Sequence, residues 1–76
     1  MTQFDQELDT SGLNCPMPVM KTKKALKSLA DGQVLHLIAT DPATNEDIPG
    51  LVEELGYQIT ESGEDGGKYH FYIKRA

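Results

Sequence analysis

GLNCPMPVMKTKKALKSL, residues 12–29, is the stretch on which the fold and the chemistry both turn. It places Cys15 directly before Pro16, with Pro18 two residues on, where apolar residues begin to recur at helical spacing. Val19, Leu26, Leu29 and Ala30, with Ala25 close by, fall on one side of a helix expected from Pro16 to about Ala30. Asp31-Gly32 stops it. Working outward, FDQELDT (4–10) is expected as a short strand with Phe4 and Leu8 on one side, and Ser11-Gly12 turns the chain. The aliphatic run QVLHLIAT (33–40) is too short for a typical helix and fits a central strand. Asp41-Pro42 breaks that strand.

A second helix is expected from Ala43 to Leu55, with Ile48, Leu51, Val52 and Leu55 on one face and Gly56 at its end. Within it Pro49 must lie in the first turn or so, or mark a kink. YQITES (57–62) and KYHFYIKR (68–75) are strands joined by a loop at 63–67. The order is βαβαββ. A right-handed crossover makes the first two strands parallel and the closing hairpin adds an antiparallel pair. Two helices with one apolar face each belong on one side of a mixed four-stranded sheet, an α+β two-layer sandwich.

Seventy-six residues make one domain, 1–76, with room for one small core; a chain this short buries only about 60% of the surface it exposes unfolded. Nothing approaches the roughly 20 apolar residues of a membrane-spanning helix. The acidic start MTQFDQELD is no signal peptide, so a cytoplasmic location is expected. A single cysteine allows no internal disulfide, which agrees with that location. Twelve acidic against seven basic residues give a net charge of −5, which opposes general nucleic-acid binding. Four of those seven, Lys21, Lys23, Lys24 and Lys27, nevertheless cluster on the helix expected to follow Cys15.

Proline suits the first helical position because its missing N–H would have no partner there. With Pro16 in that place, Cys15 is the expected N-cap, its sulfur near the positive end of the helix dipole and within reach of the Met17 N–H. Pro18 stiffens the same turn. A thiolate at a helix N-terminus near lysines has a lowered pKa. The competing reading is an inert cysteine acting as a small buried hydrophobe. Against it stands the position of Cys15 at the end of an element, off the Val19–Leu26–Leu29 face. On the helix, Met20, Lys24 and Lys27 fall on a flank away from the core, with Lys23 at its border. These four form a candidate docking patch for an acidic partner, or merely a solvated face.

One thiol narrows the chemistry. A dithiol oxidoreductase needs a resolving cysteine, and a cysteine hydrolase needs a base; His36 and His70, the only histidines, lie in strands far along the chain. A zinc site from Cys15, His36 and His70 lacks ligand spacing, and no metal or other cofactor is expected. One activated thiol can accept a group and pass it on. For sulfur the carried form is a covalent persulfide, Cys15–S–SH, which no second internal cysteine can discharge as a disulfide.

The stretch LDTSGLNCPMPVMKTKKAL resembles the TusA/SirA-like family of sulfur carriers, whose C-P-x-P signature stands at Cys15-Pro16-Met17-Pro18. IATDPATNEDIPGL (38–51) fits as well, and the resemblance covers nearly the whole chain. It implies the same βαβαββ sandwich, with Cys15 as persulfide carrier, Pro16, Met17, Pro18 and Asp41 shaping the site, and Met20, Lys23, Lys24 and Lys27 meeting partners. It implies a cysteine desulfurase or rhodanese-like donor and a DsrE/TusD-like or other cysteine-bearing acceptor. It also implies a sulfurtransferase-type carrier, not a stand-alone turnover enzyme, serving tRNA thiolation, molybdenum-cofactor supply or sulfur oxidation. Two rivals remain open. One is an adaptor that binds through the Met20/Lys24/Lys27 face without moving sulfur. The other is RNA binding on the open sheet face through Tyr57, Tyr69, Phe71 or Tyr72, which the −5 charge disfavours.

Overall fold

The computed structural model describes residues 4–14 and 16–75. Its elements run β1 (Gln6–Thr10), α1 (Met17–Lys27), β2 (Val34–Ala39), α2 (Thr44–Leu55), β3 (Gln58–Asp65) and β4 (Lys68–Lys74). The sheet order is β1-β2-β4-β3. β1 and β2 pair in parallel, whereas β4 is antiparallel to both of its neighbours. The expected βαβαββ sandwich is therefore the fold, with both helices on one face of a mixed sheet.

Alternation along the strands decides which face is buried, because successive side chains point to opposite sides. Leu35 and Leu37 on β2 and Phe71 and Ile73 on β4 point to the helices. There they meet Leu26 and Leu29 from α1 and just beyond it, and Ile48, Leu51 and Val52 of α2. The stripe that α1 buries is Pro18, Thr22 and Leu26, spaced four residues apart, and Val19 and Ala25 are only partly buried. Ala30, expected on this face, is exposed. The helix ends three residues before it, where the Ser28 N–H donates to the Ala25 carbonyl and the Leu29 N–H to the Leu26 carbonyl.

Three other boundaries differ from the sequence reading. Phe4 lies ahead of β1, so strand alternation does not govern it: its ring packs 5.0 Å from His36 on the side opposite the helices, while Leu8 packs on the core. β3 runs on to Asp65, because Gly66 and Gly67, at φ +58° and +83°, make the two-residue turn that closes the hairpin at the Asp65–Lys68 pair. Pro49 sits in the second turn of α2, which continues through it to Gly56 in the left-handed conformation. The missing N–H of Pro49 removes only the bond that the Asn45 carbonyl would have accepted.

Candidate functional site

Parallel pairing of β1 and β2 puts the C-terminal ends of both strands at one end of the sheet. The loops that follow them, and the N-termini of α1 and α2, gather there. In open α/β architectures this is the end where ligands bind. Cys15 lies outside the described residues, and its neighbours define what surrounds it in the chain.

The first of those loops is held by its own backbone. Leu13 N–H donates to the Thr10 carbonyl at 3.1 Å and Met17 N–H to the Asn14 carbonyl at 2.9 Å. Pro16, at φ −96° and ψ 10°, is the N-cap of α1, and Pro18 falls within its first two residues. The helix thus starts one residue later than its sequence suggests. Two expectations change accordingly. The N-cap is Pro16 instead of Cys15, and the Met17 N–H is committed to Asn14 instead of being available to a thiol. The first intrahelical bond is donated by Met20 to Pro16, at 3.0 Å. Pro18 is fully buried, so it anchors the helix mouth in the core, whereas Pro16 and Met17 are exposed. One proline sets the chain at the surface and the other pins it from below.

At the start of the same loop, Ser11 N–H donates to Asp9 Oδ1 at 2.8 Å. The Ser11 hydroxyl, close by but outside good hydrogen-bond alignment, and this N–H hold the Asp9 carboxyl below the ordinary carboxylate range. Gly12 has φ +81°, a conformation open to glycine at little cost, and its N–H donates to Thr40 Oγ1 at 2.9 Å. That bond ties the β1–α1 loop to the β2–α2 loop.

The β2–α2 loop is a compact helix entry. Asp41 Oδ1 accepts the Ala43 N–H at 3.0 Å, and the Asp41 carbonyl accepts both the Thr44 N–H at 3.0 Å and the Thr44 hydroxyl at 2.6 Å. These bonds of Asp41 shape the start of α2. The link across to the Cys15 loop comes from Thr40, which sequence reasoning missed. Its signal was present, a hydroxyl residue at the end of a parallel strand, but the partner stands 28 residues away.

Met20, at 59% exposure, lines one shallow surface depression together with Lys23, Lys24 and Lys27. The predicted patch therefore exists as one continuous surface. Beside it, a groove runs between the helices from Pro16, Val19 and Lys23 to Glu46, Asp47 and Glu54, with Gly50 and Leu51 along it.

The opposite face of the sheet carries a second cluster. Glu7, His36, Tyr72 and Glu61 stand in register across all four strands. His36, 8% exposed, lies flat against Tyr72 at 4.4 Å with the rings 3° from parallel. Its Nε2 is 2.9 Å from His70 Nδ1, and its Nδ1 is 3.5 Å from Glu7 Oε2, an ion-pair separation without hydrogen-bond alignment. His36 is thus paired within the sheet, and His70 lies half-buried on this face of an interior strand. Of the four aromatics offered for RNA stacking, Tyr72 alone is placed on this face. Phe71 is buried in the core, Tyr69 packs against that core, and so does Tyr57, whose ring also lies 5.6 Å from the Arg75 guanidinium.

Comparison with known proteins bears on the loop end. A family model described as sulfurtransferase TusA matches residues 6–75. A sulfur carrier protein TusA from Allochromatium vinosum is 51% identical over 76 residues, covering 100% of both chains. One from Pseudomonas putida strain GB-1 is 43% identical over 77 residues, covering 99% of this chain and 96% of its own. Among solved structures, a SirA-like protein from Desulfitobacterium hafniense superposes with a TM-score of 0.81 at 30% identity, covering 91% of this chain and 95% of that one. No helix among the described residues is long and apolar enough to cross a membrane.

Proposed function

The chain belongs to the TusA family of sulfur carriers, and from that premise we propose that it carries sulfur as a persulfide on Cys15 within a cytoplasmic relay. The observation that carries this reading is the match to sulfur carriers along the whole chain, with C-P-x-P at the mouth of α1. Loading begins when the Cys15 thiolate attacks the terminal sulfur of a donor persulfide, R–S–SH. The donor S–S bond breaks, its electron pair leaves on the donor cysteine sulfur, and Cys15–S–SH forms. Unloading repeats the exchange with an acceptor thiolate as nucleophile and Cys15 as leaving group. The two steps mirror each other, so no external oxidant or reductant is consumed.

The protein supplies direction and charge. Pro16 at the N-cap and the buried Pro18 restrict the backbone that follows Cys15 in the chain. The positive end of α1 and the nearby lysines favour the thiolate, which is both the better nucleophile and the better leaving group. Pro16, Met17, Pro18 and Asp41 shape this end. Met20, Lys23, Lys24 and Lys27 dock partners, with Met20 as the adaptable apolar contact among charges. The donor is a cysteine desulfurase or rhodanese-like protein and the acceptor a DsrE/TusD-like or other cysteine-bearing protein. The sulfur serves tRNA thiolation, molybdenum-cofactor supply or sulfur oxidation.

The test follows sulfur through both steps. The wild-type protein is incubated with a cysteine desulfurase and isotopically labelled cysteine, repurified, and mixed with an acceptor thiol. Label should move onto the protein and then off it, and Cys15→Ser should take up none. Partner binding that survives in Cys15→Ser with full downstream activity would instead support the adaptor reading.

A further inference from the structure

The sheet ends in two edges of different character. β3, on one side, is exposed along almost its whole length and carries Glu61, Glu64 and Asp65. β1, on the other, borders a depression of about 370 Å³ that lies between it and α1. Leu8 and Ala25, each only partly buried, and the core residue Leu35 give this depression an apolar floor. Lys21 and Lys24 stand exposed on its helix side. Ser28 Oγ donates to Gln6 Oε1 at 3.4 Å and bridges the two walls. Glu7 borders the depression too, but its Oε2 lies 3.5 Å from His36 Nδ1 on the opposite face of the sheet. Among the described residues no strand pairs with the outer side of β1.

We propose that this depression docks an extended, acidic segment of a partner protein, added along β1 as a further strand. An open strand edge holds such a segment through its backbone, and pockets for alternate side chains select it. An apolar side chain of the segment covers Leu8 and Ala25. Acidic side chains two residues to either side point the same way from a strand and meet Lys21 and Lys24. Charge selects the occupant. The acidic β3 edge repels the same segment, and a second copy paired edge to edge at β1 sets Glu7 and Asp9 against their own kind. Lys21 lies outside the depression formed by Met20, Lys23, Lys24 and Lys27, and Cys15 takes no part.

The probe is the capped peptide acetyl-Thr-Asp-Thr-Leu-Thr-Asp-Thr-amide, titrated to millimolar concentration into ¹⁵N-labelled protein and followed by amide chemical shifts. Shifts should gather at Gln6–Leu8 and Lys21–Ser28 and be the same in the wild type and Cys15→Ser. Lys21→Glu combined with Lys24→Glu should weaken binding about tenfold. A peptide with lysine in place of aspartate should leave the spectrum unchanged. Ala25→Gln fills the floor but keeps both lysines, and it should weaken binding as well; should it disturb folding, as checked by urea unfolding, the lysine pair decides. An absence of shifts, shifts confined to the lysines with β1 unmoved, or binding that survives the lysine reversal overturns the proposal. Shifts that appear on raising the protein concentration without peptide identify a second copy as the occupant and overturn it equally. Each of these failures leaves the carrier reading standing.

Discussion

The two ends of chemical interest in this small protein are built in opposite ways. The Cys15 end is made of short-range backbone bonds and two prolines, with one hydrogen bond from Gly12 to Thr40 reaching across. The open sheet face is made of long-range side-chain packing, in which Phe4, Glu7, His36, His70 and Tyr72 arrive from three strands and the segment before β1. The loop end holds the proposed carrier residue in its sequence and contains no imidazole among its described residues. The sheet face holds both histidines, and the proposed sulfur exchange needs neither. What a group-carrying thiol requires is a fixed direction and a favourable field, and helix termini and prolines supply both without side-chain acids or bases.

This contrast can be broken by substitutions that should affect stability and sulfur loading separately. The largest expected effect is on the helix side of the sheet. Leu37 is fully buried, and Leu37→Ala should lose about 2–5 kcal/mol in urea unfolding. His36, its neighbour on the opposite face, should matter less but measurably. His36→Ala removes the Tyr72 contact and the His70 hydrogen bond, at about 0.5–1.5 kcal/mol each. Persulfide loading of Cys15 should be unchanged in that variant at a temperature where it is folded. Loading that falls with His36 would join the two regions and remove the distinction drawn between them.

Thr22 offers a smaller effect of opposite sign. Its hydroxyl is buried in the middle of the α1 stripe with no hydrogen-bond partner among the described residues. Thr22→Val keeps the shape and removes the unsatisfied group, so stability should rise by about 1 kcal/mol, read as a higher urea midpoint. An unchanged or lower midpoint would mean that the hydroxyl is satisfied in solution.

The smallest effect concerns pH. Asp9 has a folded-state pKa below its unfolded value, so its contribution is complete above the ordinary aspartate value of about 3.9 and is lost as pH falls through the folded one. Exchange of the Ser11 amide should therefore quicken, relative to its intrinsic rate, only below that range, and Asp9→Asn should flatten the response. The group is exposed, so the change should stay local to the turn.

How much of this was readable beforehand follows the same division. The fold came through because Leu35, Leu37, Ile48, Leu51 and Val52 recur at strand or helix spacing and segregate to one side. The family came through because C-P-x-P and Asp-Pro-Ala-Thr are local patterns. What failed was one-residue detail at the loop end. Whether Cys15 or Pro16 caps α1 depends on where the Asn14–Met17 turn closes, and sequence spacing does not encode that closure. Thr40 was missed for a different reason, since its partner is distant in the chain. The His36–His70 pair was missed likewise. Diagonal neighbours on antiparallel strands are set by register, and β2 and β4 are not joined by a local turn that would reveal theirs.

The most direct test of the central claim is the intact mass of the protein after exposure to a persulfide donor, compared between wild type and Cys15→Ser. The wild type should gain one sulfur atom, removed by reductant, and the variant should gain none. Sulfur retained by the serine variant, or a wild type that stays unmodified while the donor is active, would contradict it.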